Sequence, residues 1–105
     1  MEIKDKNEVI EKVKKYSDLV KAVFPVEKII LYGSYSRGTA REHSDIDVAV
    51  IVDKFPGGYL ESRVKLFQMR RDIDLRIEPV LIERGEKDPG GFLEEILTTG
   101  EVIYP

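Results

Sequence analysis

The chain has 105 residues, enough for one domain with a single hydrophobic core, and residues 1–105 are expected to form one unit. Hydrophobic residues at 42% and charged residues at 35% argue against disorder, and a formal net charge of −3 argues against general nucleic-acid binding through the phosphate backbone. There is no cysteine for disulfides or thiolate metal sites, no apolar run of membrane-spanning length and no signal-like N-terminus, so the expected setting is the cytoplasm, away from membranes.

Val9, Val13, Tyr16, Val20 and Val23 recur at steps of three and four, the pattern of one helix face. Asp5 with Glu8 resembles a capping box, and Pro25 stops the helix. Glu27 to Tyr32 is β-branched and apolar and predicts a strand ending at Gly33. Ser34 to Ser44 is a polar loop with room for one helical turn. Ile46 to Val52 predicts a second strand, with Asp47, Ala49 and Ile51 on the face opposite Ile46, Val48, Val50 and Val52.

Pro56-Gly57-Gly58 breaks the chain before a second helix, whose core face is expected to carry Leu60, Val64 and Phe67, with Leu66 and Met69 beside them. Arg63, Lys65, Arg70 and Arg71 are expected on its wet face. Leu75 to Ile82 predicts a third strand, and Pro79, which cannot donate to a ladder, suggests an edge or a local break there. A charged, glycine-rich loop leads to a short helix through Phe92, Leu93, Ile96 and Leu97, stopped by Gly100, and Val102 to Tyr104 could add a last strand. The order α-β-α-β-α-β-α predicts an α/β (α+β) domain, a small mixed β-sheet flanked by helices.

Four features carry chemistry. Gly33-Ser34 at a strand end lets backbone approach a ligand and offers a hydroxyl and amides to phosphate, although Gly-Ser alone is more often a turn. Asp45 and Asp47 lie two apart in an extended segment and share a face, where they can converge on hard cations. Asp45 alone could belong to a turn, but Asp47 sits in an apolar run where an unpaired charge is costly; a cation or an arginine would answer that cost. Glu78 could complete a three-carboxylate cluster if its strand neighbours Ile46–Val52; otherwise it would pair with Arg76 or another cation at a solvent-facing edge. Arg37 and Arg41 can neutralise a triphosphate, with His43 a solvated loop residue nearby. A P-loop fails, because Thr39 stands where that motif requires lysine after Gly38.

Leu31-Tyr32-Gly33-Ser34, ten intervening residues, then Asp45-Ile46-Asp47 resembles the signature of the DNA polymerase beta superfamily of nucleotidyltransferases. The segment Tyr35 to Arg41 with Ser44, and the ending Glu95 to Tyr104, are similar to its minimal members. The resemblance implies transfer of a nucleoside monophosphate, AMP from ATP, to an acceptor hydroxyl with two magnesium ions and loss of pyrophosphate. It implies that Asp45, Asp47 and Glu78 are the catalytic, metal-binding carboxylates, with Asp74 the rival to Glu78. Nucleotide contacts would come from Gly33, Ser34, Arg37 and Ser44.

No acceptor-holding segment is expected within these 105 residues, so another chain or a dimer partner would supply that side. The minimal members resemble antitoxins whose partner is a helical HEPN-domain toxin, modified on a tyrosine. That setting is the expected one. A non-catalytic nucleotide-binding or toxin-neutralising module of the same fold is the alternative, and transfer to a small molecule such as an aminoglycoside is a weaker one.

Overall fold

The computed structural model describes residues 6–40, 44–55 and 57–104. The elements are α1 Lys6–Val23, β1 Val26–Tyr32, α2 Ser34–Arg37, β2 Ile46–Val52, α3 Tyr59–Met69, a 3₁₀ turn Arg70–Asp72, β3 Ile77–Glu83, α4 Phe92–Thr99 and β4 Glu101–Tyr104. One mixed sheet carries them in the order β3-β2-β1-β4. β1 runs antiparallel to both β2 and β4, and β2 runs parallel to β3 through the α3 crossover.

The alternation along β2 divides the core between the two faces of the sheet. Val48, Val50, Ile29, Leu31 and Ile77 pack with Val9, Val13, Tyr16 and Val20 of α1 and Leu66 of α3. On the opposite face Ile30, Ala49, Ile51 and Ile82 pack against Ile96 of α4. α4 is only 8 residues long, and a cleft remains between it and the Asp47 end of this face. That gap positions the site.

Tyr16 is fully buried, and its hydroxyl donates to the Leu66 carbonyl at 2.7 Å, joining α1 to α3. Tyr16→Phe removes that bond, and we expect a loss of about 1 kcal/mol in urea unfolding. An unchanged midpoint would show that the bond adds nothing.

Three details differ from the helix and strand pattern of the sequence. The inward residues of α3 are Ser62 and Leu66, whereas Leu60 and Val64 are 69% and 49% exposed. On α1, Val23 is exposed, and Phe24, beyond the helix end, is buried instead. β3 begins at Ile77 rather than Leu75, because the Asp74 carboxylate and carbonyl accept from the Arg76 and Ile77 amides and close a turn. The last strand does form, and Gly100 is required at its start by crowding. A Cβ there would press on the Ile96 carbonyl and the Ile30 side chain, although the Gly100 backbone is extended.

Candidate active site

Pairing across the sheet sets three functional groups in a row. Tyr32 of β1 is opposite Asp47 of β2, and Asp47 is opposite Glu78 of β3. Paired residues share a face, so all three project on the side that α4 only partly covers. Asp45 lies just before β2, exposed, with the same alternation as Asp47.

Gly33 follows the Tyr32 end of β1 with φ +78°. A Cβ at this position would fall on the Asp47 Oδ2 atom, so the missing side chain makes room for the carboxylate. Glycine therefore satisfies two demands, a left-handed backbone and a close approach. α2 begins at the next residue and is one turn long. Tyr35 and Ala40 bury themselves below it, and Arg76 Nη1 donates to the Tyr35 hydroxyl at 3.0 Å. Ser36 Oγ donates to the Thr99 carbonyl at 3.0 Å, tying this turn to the end of α4. Ser34 is left at the rim, where the first amides of a helical turn have no intrahelical acceptor.

Between these elements lies a cleft of about 310 Å³, lined by Tyr32, Gly33, Ser34 and Asp47 on one side and Phe92, Glu95, Ile96 and Thr99 of α4 on the other. The Tyr32 and Phe92 rings meet edge to face, with centroids 5.8 Å apart. Burial first, then the negative charges of Asp47 and Glu78, push the Tyr32 phenol up to about 12. It stays protonated, a neutral donor at the edge of the acidic row. Sequence reasoning did not single out Tyr32 or Phe92 as cleft residues; their signal lay in the register and in the placement of α4. The start of α4 is fixed by Asp88, whose carboxylate accepts from the Leu93 and Glu94 amides at 3.0 and 3.1 Å.

The two acidic residues considered for the third carboxylate have different surroundings. Asp74 accepts from Arg76 Nη2 and from Lys12 Nζ, each at 2.8 Å, and its side chain is 10% exposed. The Arg76 guanidinium, against partial burial and with help from Lys12, holds the Asp74 carboxyl well below the usual carboxylate range. A depressed folded-state pKa contributes stability above the unfolded value of about 4 and loses it as pH falls. Asp74→Asn should therefore flatten the acid limb of stability below about pH 4. Urea midpoints between about pH 2.5 and 5 check this; an acid limb as steep as in the parent would refute it.

Glu78 instead stands beside Asp47, and its Oε2 accepts from Arg70 Nη1 at 3.1 Å. The same Nη1 donates to the Ile77 carbonyl at 2.7 Å. Arg70 is thus not the wet-face residue that helical spacing predicts: the chain tightens into the 3₁₀ turn there and turns its side chain to the edge of β3. Among the described residues, no three histidine, aspartate or glutamate side chains stand together closely enough to hold one cation. Ser44 is half-buried just before Asp45. Arg41, His43 and the side chain of Arg37 lie outside the described residues.

A Gly-Ser turn set against an aspartate of the neighbouring strand can present amides to phosphate beside oxygen donors for a hard cation. The family model "Polymerase beta, Nucleotidyltransferase" matches residues 7–105. The chain belongs to the polymerase beta nucleotidyltransferase family. It is 37% identical over 87 residues to a Methanocaldococcus jannaschii protein named "Putative protein adenylyltransferase MJ1305". The match takes in 72% of this chain and 56% of that relative, so the chain spans little more than half the relative's length.

Two solved structures share the fold. A nucleotidyltransferase structure from Sulfolobus solfataricus superposes with a TM-score of 0.63 at 24% identity, over 80% of this chain and 75% of the other. A toxin–antitoxin structure with AMP-PNP superposes with a TM-score of 0.58 at 24% identity, over 96% of this chain and 73% of the other. The four-stranded mixed sheet flanked by helices thus agrees with the fold that the sequence signature implies. No helix among the described residues is long and apolar enough to cross a membrane.

Proposed function

We propose that this nucleotidyltransferase transfers AMP from ATP to a hydroxyl of a partner protein, a tyrosine of a HEPN-type helical toxin, and so acts as an antitoxin in the cytoplasm. The observation that carries the reading is the Gly33–Asp47–Glu78 arrangement, in which a glycine makes room for one carboxylate and the sheet register brings up a second. The adenylyl assignment draws support from the name of the M. jannaschii relative, and the toxin assignment from the toxin–antitoxin neighbour with AMP-PNP. The outward Leu60 and Val64 of α3 supply apolar surface on which a partner could dock.

The donor chemistry suits magnesium: Asp45, Asp47 and Glu78 are all carboxylates on one side of the sheet, and hard cations take oxygen ligands. Two magnesium ions held by them would neutralise the triphosphate and the attacking oxygen. Gly33 and Ser34 would hold the β- and γ-phosphates through backbone amides and the serine hydroxyl, with Arg37 and Ser44 nearby. Asp47 would hold the cation that draws the α-phosphate to this end of the sheet. Glu78 orients the acceptor hydroxyl and draws its proton as oxygen attacks phosphorus and pyrophosphate leaves.

The test uses purified protein, a co-expressed HEPN-type helical protein as the candidate partner, α-labelled ATP and magnesium. Label on a partner tyrosine supports the transferase. Toxin neutralisation without label in any condition would replace it with a non-catalytic module.

A further inference from the structure

The Glu78 carboxylate is engaged by Arg70, whose Nη1 donates to Glu78 Oε2 at 3.1 Å. β3 is the outer strand of the sheet. The Ile46 amide donates to the Arg76 carbonyl at 2.9 Å, so that carbonyl points inward to β2. Successive carbonyls of a strand alternate in direction, and the Ile77 carbonyl therefore points outward. Arg70 Nη1 binds that outward carbonyl at 2.7 Å and the Glu78 carboxylate at 3.1 Å. Its guanidinium also lies 4.9 Å from the Phe67 ring centroid. Three contacts fix Arg70 at the outer edge, where its guanidinium holds the Glu78 carboxylate.

We propose that Arg70 is a positioning residue that latches Glu78 at the outer edge of β3 and gives it up when a divalent cation is bound with Asp47. The inference rests on the proposed metal-dependent reading. Arg70 offsets the like charges of Asp47 and Glu78, which are direct neighbours in the register. A cation between the carboxylates removes that repulsion, and the carboxylate can then exchange one positive partner for another. The latch sets how tightly the site takes metal.

Mn²⁺ binding, followed by electron paramagnetic resonance of the free ion, reads the exchange without any turnover. Arg70→Gln should bind Mn²⁺ about three- to fivefold more tightly than the parent, the scale of a partly exposed ion pair. In a Glu78→Gln background the same substitution should change affinity by less than about 1.5-fold, because the latch then has no carboxylate to hold. Equal effects in both backgrounds would mean that Arg70 acts as a distant charge, and the latch would be wrong.

A second measurement leaves Arg70 in place. In ¹⁵N spectra of the parent protein, Mg²⁺ should shift the Arg70 Nε–H resonance in step with the Asp47 amide, and in Glu78→Gln only the Asp47 amide should move. An Arg70 resonance that stays still while Asp47 saturates overturns the proposal. Failure of Asp47→Asn to weaken Mn²⁺ binding would overturn the metal-dependent reading itself.

Discussion

Asp47→Asn is expected to lower nucleotidyl transfer on the order of 10³-fold while the domain stays folded. The substitution keeps the shape of the side chain, so Gly33 still has room beside it and β2 keeps its packing. What disappears is the negative charge at the centre of the row Tyr32–Asp47–Glu78. Catalysis at phosphorus depends on positioned charge more than on bond-making by the protein. A neutral amide oxygen is a poor ligand for a hard cation that must also hold a triphosphate. Single-turnover transfer with labelled ATP, alongside circular dichroism, separates the effect from unfolding. A variant within tenfold of the parent would remove Asp47 from the reaction centre.

The strands were legible because their apolar runs are short, β-branched and bounded by breakers. β2 is the clearest: Val48, Val50 and Val52 against Ala49 and Ile51 fix both faces, which leaves Asp47 conspicuous. Pro79 was informative for a physical reason that the sheet makes visible. By the alternation that turns the Ile77 carbonyl outward, the nitrogen of Pro79 also faces the outer edge of β3, where no ladder bond is lost. α3 was harder, since its apolar residues lie on more than one face. Spacing favours Leu60, Val64 and Phe67, yet the stripe that packs inward includes Ser62 and Leu66. A serine in the core stripe and leucine outside it invert the usual pattern, and only tertiary contact decides between them.

The candidate site divides along the same line. Gly33-Ser34 and Asp45-Ile46-Asp47 stand out from local sequence, because each is anomalous where it sits: a glycine ending a buried strand and a charge inside an apolar one. The third carboxylate depends on a pairing between strands separated by α3, and no local pattern encodes that register. Asp74 and Glu78 are four residues apart, but one is enclosed by Lys12 and Arg76 and the other lies beside Asp47. Arg70 was the least legible. It adjoins Arg71 in a basic stretch, yet Arg70 reaches the Ile77 carbonyl and Glu78 while Arg71 is exposed.

Gly33→Ala is expected to cost at least about 2 kcal/mol of stability and most of the activity, through two separable causes. The first is local: a backbone at φ +78° and ψ −147° lies in a region nearly confined to glycine and costs an L-residue about 1–3 kcal/mol. The second crosses between strands, because the new methyl group would fall on Asp47 Oδ2, with the carboxylate carbon only 3.2 Å away. Either the methyl or the carboxylate must move, and a displacement near 1 Å can cost on the order of 10²-fold in rate. The two causes come apart in a double-mutant cycle. An Asp47→Ala background removes the carboxylate and leaves only its Cβ, 3.3 Å from the new methyl group, so Gly33→Ala should cost little beyond the backbone share, roughly 1 kcal/mol less than in the parent. Urea unfolding of the four proteins measures the difference. Equal costs in both backgrounds would mean that Gly33 serves its own turn alone. A smaller cost without Asp47 would mean that the glycine is held in place by the carboxylate it accommodates, which binds the Gly-Ser turn and the aspartate strand into one unit.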